Sequence, residues 1–252
     1  MKFTGERIIP EGKYSSPDTL EHIERYYFAL DYVKAKRVLD VACGIGYGSA
    51  LLAEKANQVV GLDIDRGSID YAKSHYSCQN LKFIIGDVQD LNFPDSFFDT
   101  IVSFETIEHL PSPPMFLKEL KKVLKPNGIL ILSSPDREIT KEILIDTSYK
   151  NPFHLKEFTL KELTALLSKF FKIESIYGQF LYKPSFLNVF SRDISRWLYG
   201  LDKKKLLKKI LPLSLILWIP RKIAGIKKDL KPVPLRTNVR AQINIIICRN
   251  IK

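Results

Sequence analysis

The sequence predicts an α/β fold, a doubly wound and mostly parallel sheet with helices on both faces and a helical insertion before its last strand. Three observations predict it. From about Lys36, short apolar runs alternate with amphipathic stretches; the first run opens into a glycine-rich turn; and aspartates stand at the ends of the first three runs. With 252 residues, 45% of them hydrophobic, the chain can bury one sizeable core, and a tandem of two domains is not expected.

The strands read as Arg37–Val41, Gln58–Asp63, Leu81–Gly86, Phe98–Phe104, Gly128–Ser134, Phe171–Gly178 and Ala241–Cys248. Between them lie amphipathic helices at Gly46–Ala56, Arg66–Ser74, Pro114–Leu124 and Thr159–Lys169; KPNG after the third is a helix stop and turn. The chain therefore divides into an N-terminal helical lid (residues 1–35), a core (36–180 and 239–252) and an insertion (181–238).

The net charge of +11 is local. Fourteen lysines and arginines stand against three aspartates between Lys183 and Arg236, and the rest of the chain is neutral. The same segment holds the apolar run ILPLSLILWI at Ile210–Ile219. Cys43, Cys78 and Cys248 are odd in number and widely spaced, so no disulfide framework is expected. MKFTGERIIPEGK has no apolar core of secretion-signal length, and no stretch reaches the ~20 apolar residues that span a bilayer. A cytoplasmic protein is expected.

The first strand runs into RVLDVACGIGYGS, where Gly44, Gly46 and Gly48 let the backbone turn sharply and approach a ligand, with a helix N-terminus behind them. The third glycine falls one residue early for a dinucleotide fingerprint, which disfavours a pyrophosphate cofactor. Asp63, nineteen residues after Gly44, is placed to accept two ribose hydroxyls. Asp87 ends the third strand on the same edge and, with the Val88 backbone, suits an adenine. Asp40 either holds the turn or reaches an ammonium. Strand-end carboxylates are also ordinary helix caps; three in succession beside the turn argue for a ligand.

In order and spacing, VLDVACGIGYGS, GLDID, GDVQDLNF, FDTIVSFETIEHL and LKPNGILILSSPD resemble the motifs of class I S-adenosylmethionine-dependent methyltransferases, the type 11 group especially. The resemblance covers about Lys36 to Ser134. It implies a Rossmann-like sheet of order 3-2-1-4-5-7-6 with an antiparallel seventh strand, and S-adenosyl-L-methionine bound by Asp40, Cys43, Gly44, Gly46, Asp63, Ile64, Asp87, Val88 and Phe104. FTGERIIPEG, EHIERYYFA at Glu21–Ala29 and NPFHLKEFT at Asn151–Thr159 resemble methyltransferases encoded with surface-polysaccharide enzymes, which implies a sugar or glycan acceptor.

A hydroxyl acceptor needs a base or a metal, because a protonated alcohol is a poor nucleophile. His109, in SFETIEHLPSP after the fourth strand, and His154, in NPFHLKEFT, are the candidate bases; a packing role for each stands beside that reading. Glu105 and Glu108 are candidate acceptor-binding groups. Arg25 and Tyr26, with His22, either form a lid, bind an acceptor phosphate or occupy a solvated helix face. Histidines at 22, 75, 109 and 154 lack the spacing of a metal motif, so no metal is expected. The insertion reads as an interfacial membrane or lipid-linked contact at the inner membrane face, or as a helical cap, and nucleic-acid binding is disfavoured. An acceptor among prenylated quinones, other lipids, RNA or protein stays open, as does a non-catalytic scaffold. Oligomeric state is not legible.

Overall fold

The computed structural model describes residues 17–139, 151–182, 231–235 and 240–251. α1 (Pro17–Val33) turns Tyr26, Ala29 and Val33 inward at helical spacing. Then follow β1 (Arg37–Val41), α2 (Tyr47–Ala53), β2 (Gln58–Asp63), α3 (Arg66–His75), β3 (Leu81–Ile85), β4 (Phe98–Phe104), a 3₁₀ turn (Ile107–His109), α4 (Pro113–Val123) and β5 (Leu124–Pro135). α5 (Leu160–Leu167), β6 (Lys172–Tyr182), β7 (Val233–Pro234) and β8 (Arg240–Arg249) complete the described elements. Local chemistry fixes their ends: the Asp65 side chain accepts from the Ser68 N–H at the start of α3, and Thr159 and Glu162 form a reciprocal capping box on α5.

One sheet joins all the described strands in the order β3-β2-β1-β4-β5-β8-β6-β7. This corrects the expected seven strands, because Val233–Pro234 pairs with Tyr177 and Gly178 as a short eighth strand on the edge. The strands from β3 to β5 run parallel, and β8 lies antiparallel between β5 and β6, in register Ile129↔Arg249 and Tyr182↔Arg240. KPNG does not separate α4 from its strand. β5 already pairs at Leu124 with Phe98 and resumes at Ile129 with Thr100, so those residues form an irregularity within the strand, with Asn127 at φ 63°.

The period of two in β1 divides the core. Leu39 and Val41 join Phe116, Leu117, Leu120 and Leu163 in one layer, while Val38 joins Tyr26, Leu52, Ile69 and Ile245 in the other. Asp40 shares the parity of Val38, so a carboxylate is carried into the layer beneath α1 and α2. All three cysteines are free thiols. No described helix is long and apolar enough to cross a membrane. The lysine-rich and apolar runs assigned to the insertion lie outside the described residues.

Candidate functional site

Parallel pairing of β1 with β2 and β4, and of β2 with β3, brings their carboxyl ends to one edge of the sheet. The turn after β1 enters the left-handed region at Ala42 (φ 54°), Gly44 (φ 55°) and Gly46 (φ 86°). At Gly44 a Cβ would meet nothing within 4 Å, so the glycine answers to backbone conformation and leaves open space above the turn. Gly48 has a different reason. A Cβ there would lie 2.0 Å from the Tyr26 ring, so the early third glycine is where α1 packs on α2.

Asp63 organises this turn. One carboxylate oxygen accepts the Gly44 N–H at 2.8 Å and the other the Asp65 N–H at 2.9 Å, and each keeps a further lone pair. Ile64 beside it is 70% exposed, a large apolar side chain left at the open edge. Asp87, exposed, accepts the Gln89 N–H at 2.8 Å, and Val88 is buried under it. Cys43 is buried, its N–H bonded to the Leu62 carbonyl, and burial pushes its thiol pKa well up.

Asp40 is fully buried and accepts from Ser49 Oγ at 2.6 Å and Tyr26 Oη at 3.2 Å. Burial raises its pKa to about 7 against an ordinary 3.8, outweighing those two hydrogen bonds. Of the two roles expected for Asp40, the geometry favours holding the turn. The reading of Arg25 and Tyr26 as a solvated helix face is overturned: each is 3% exposed. Arg25 donates to Gln179 Oε1 on β6 at 2.7 Å, and Gln179 donates back to the Glu21 carbonyl at 3.1 Å. Tyr26 stacks edge-on against Phe104, with ring centres 5.0 Å apart. His22 is half-buried beside them, desolvation there lowers its pKa well below the ordinary value, and it bonds the Tyr47 hydroxyl.

A second group of polar side chains begins where β4 ends. Glu105 takes φ 48°, an unusual conformation for a side-chain-bearing residue, with its carboxylate accepting from Ser133 Oγ at 2.7 Å. Glu108 is fully buried; Oε2 accepts from Ser134 Oγ at 3.0 Å and Oε1 has no hydrogen-bond partner. Burial, and then the neighbouring Glu105, push its pKa well above the carboxylate range. His109 Nδ1 lies 3.0 Å from the Phe153 carbonyl and His154 Nδ1 lies 3.0 Å from a Glu157 carboxylate oxygen. The Lys156 N–H donates to the Glu108 carbonyl at 3.0 Å, which fastens the 151–157 segment over the 3₁₀ turn. The two imidazoles meet edge to face, 4.9 Å between centres.

Spacing along the sequence does not show how close these groups come. Donor atoms of Glu108, His109 and His154 lie within 4.8 Å of one another although the residues are 45 or more positions apart in part of the set. A cavity of about 440 Å³ lies elsewhere, lined by Arg37, Asn57, Lys82, Asp99 and Lys125 at the opposite end of the strands; its Lys125–Asp99 pair is internally satisfied at 2.6 Å and it contains none of these groups.

A glycine turn and a strand-end carboxylate on the carboxyl edge of a parallel sheet are features of the class of doubly wound α/β proteins that bind a nucleotide-type cofactor. Residues 39–132 match the methyltransferase domain family. The chain is 36% identical over 182 residues to the "Probable S-adenosylmethionine-dependent methyltransferase" of Mycolicibacterium smegmatis, covering 71% of this chain and 69% of that one. A fatty-acid O-methyltransferase of the same organism is 37% identical over 101 residues, 39% of this chain and 37% of that one. A solved protein from Pyrococcus horikoshii is 30% identical with a TM-score of 0.58, covering 71% of this chain and 94% of that one. The chain belongs to the S-adenosylmethionine-dependent methyltransferases, and S-adenosyl-L-methionine is its cofactor. The residues fit it, with open space over Gly44 and unspent acceptor capacity on Asp63.

Sequence reasoning missed Ser49, Ser133, Ser134, Glu157 and Gln179. Only Glu157 carried a signal, three residues after His154 in HLKE. The serines sit inside strand and helix patterns, and Gln179 meets Arg25 across 154 positions.

Proposed function

We propose that this methyltransferase transfers the methyl group to a hydroxyl of a sugar, in a surface glycan or its nucleotide- or lipid-linked precursor. One observation carries the reading. His109 and His154, from segments 45 positions apart, converge at the end of β4, on the edge that holds the cofactor turn. An amine acceptor needs only to be held in its neutral form, whereas a hydroxyl must lose a proton, so a paired-imidazole edge suits oxygen chemistry. The cofactor supplies an electrophilic methyl on sulfur. This chain's part is to hold the ribose at Asp63, the adenine at Asp87 and the Val88 N–H with Ile64 beside it, and the amino-acid tail above Gly44 and Gly46. Positioning alone contributes several kcal/mol, about 7–11 in favourable intramolecular cases.

Residues 181–238 we read as the segment that brings the enzyme to an anionic inner-membrane surface or a lipid-linked acceptor, because the whole excess charge and the longest apolar run coincide there. Transfer of radiolabelled methyl from the cofactor to fractionated cell glycans, lipids and RNA tests the acceptor. Label in a saccharide fraction is expected; label confined to fatty acids, quinones or RNA overturns the sugar reading.

A further inference from the structure

The Glu108 side chain is difficult to explain as packing. It is 0% exposed, one oxygen is satisfied by Ser134, and the other is buried with no hydrogen-bond partner, 3.9 Å from His109 Nε2. An orphaned buried carboxylate oxygen costs about 1–3 kcal/mol or more unless something unseen meets it. The nearby Arg25 guanidinium offsets part of the charge, but its bonded partner is Gln179.

The histidines indicate what that partner is. The Phe153 carbonyl can only accept, so in a neutral His109 the proton sits on Nδ1, and Nε2 faces Glu108 Oε1 at 3.9 Å. Beside the Glu157 carboxylate, 3.0 Å from Nδ1, a neutral His154 takes the same tautomer. An imidazole donating one N–H to a carbonyl or carboxylate while presenting the other nitrogen is the usual outer arrangement of a metal-bound histidine. Here it occurs twice, around one unsatisfied carboxylate oxygen. The donor atoms lie within 4.8 Å of one another, while bonds of about 2.0–2.2 Å to a common ion bring ligand atoms to roughly 3–3.5 Å. Small rotations of the two partly exposed imidazoles close that difference.

We propose that Glu108, His109 and His154 form a binding site for a first-row divalent cation of the manganese-to-zinc series, and that this cation activates the acceptor hydroxyl. Two imidazoles and one carboxylate suit these ions better than magnesium or calcium, which prefer all-oxygen sets. Three protein ligands leave coordination positions for an acceptor. The histidines then serve as ligands, and neither takes the proton. With the cation beside it the hydroxyl releases its proton to water; its oxygen forms the new C–O bond as the C–S bond breaks, and the sulfonium electron pair returns to a neutral thioether. The activation half rests on the hydroxyl reading above; the binding half does not.

The test uses the full chain, stripped with a chelator and dialysed. Cobalt(II) is titrated by visible absorption, and manganese(II) and zinc(II) by calorimetry, without acceptor. One equivalent of at least one ion is expected. Affinity should fall at least tenfold in His109→Ala, in His154→Ala and in Glu108→Gln, with cofactor binding retained as the measure of folding; Glu157→Gln should weaken it less. No stoichiometric uptake of any of the three ions overturns the site, as does uptake unchanged in both histidine variants. If chelation leaves methyl transfer intact while the histidine variants lose it, the activation half falls and the imidazoles are bases. Cation binding without transfer to any hydroxyl acceptor would confirm the site and overturn the oxygen-acceptor reading instead.

Discussion

The two halves of the catalytic edge are assembled differently. Around β1 to β3 the groups are held by their near neighbours in sequence: Asp63 by Gly44 nineteen positions away and Asp65 two away, Asp40 by Ser49 nine away. Around β4 and β5 they are held by distant ones: His109 by Phe153 across 44 positions, Glu108 by Ser134 across 26, Arg25 by Gln179 across 154. The glycine-turn half is a local motif supported by the sheet, while the half proposed here for the acceptor exists only once remote segments have closed on it. The first can be common to many methyltransferases and the second can set what each one methylates.

The largest effect that would sharpen this contrast lies on the acceptor half. Replacing His109 or His154 with Ala should lower turnover by about 10²–10⁴-fold with cofactor affinity unchanged within a few-fold. Turnover retained within a few-fold in both variants would show that positioning alone drives the reaction.

Next is Asp40, whose carboxyl titrates at about 7 in the fold against 3.8 ordinarily. A raised acid pKa means that the folded protein keeps a proton the unfolded chain has lost. Its stabilisation is therefore present below pH about 4 and is lost as pH rises through about 7. The stability of the native protein relative to Asp40→Asn should fall by about 4 kcal/mol over that window in denaturant titrations without cofactor. A flat difference would place the Asp40 charge outside the internal bookkeeping of this half.

Asp63→Ala should weaken cofactor binding by about 1–3 kcal/mol, and calorimetry finding unchanged affinity would remove Asp63 from the ribose site. The smallest effect is expected from the lysine-rich segment. Changing Lys203, Lys204, Lys205, Lys208 and Lys209 to Gln should weaken association with anionic liposomes at low salt and little at high salt, since screening acts within about 8–10 Å. A native protein that ignores such liposomes at low salt sets the membrane reading aside.

The same contrast explains what the sequence made legible. Gly44, Asp63 and Asp87 could be read because a turn and strand ends occur at fixed offsets along one stretch of chain. The approach of His109 to His154 could not, because it depends on how residues 151–157 fold back over β4. Tyr26 was readable as part of a helix but not as the partner of Asp40, which depends on the packing of α1 against Gly48. Val233–Pro234 is too short for alternation to register, and its pairing is set by β6.

The placement of β8 also has a consequence for synthesis. As the chain leaves the ribosome, β1 to β5 appear first, and with them the whole cofactor turn. The strand that covers β5 from Ile129 to Pro135 arrives more than a hundred residues later. At ~5–20 residues per second that is an interval of several seconds or more. Throughout it the nascent protein carries an open hydrophobic sheet margin, a template for joining another unfinished copy. The sheet is therefore completed only after its C-terminal strand has been made, whatever the stability of the finished form.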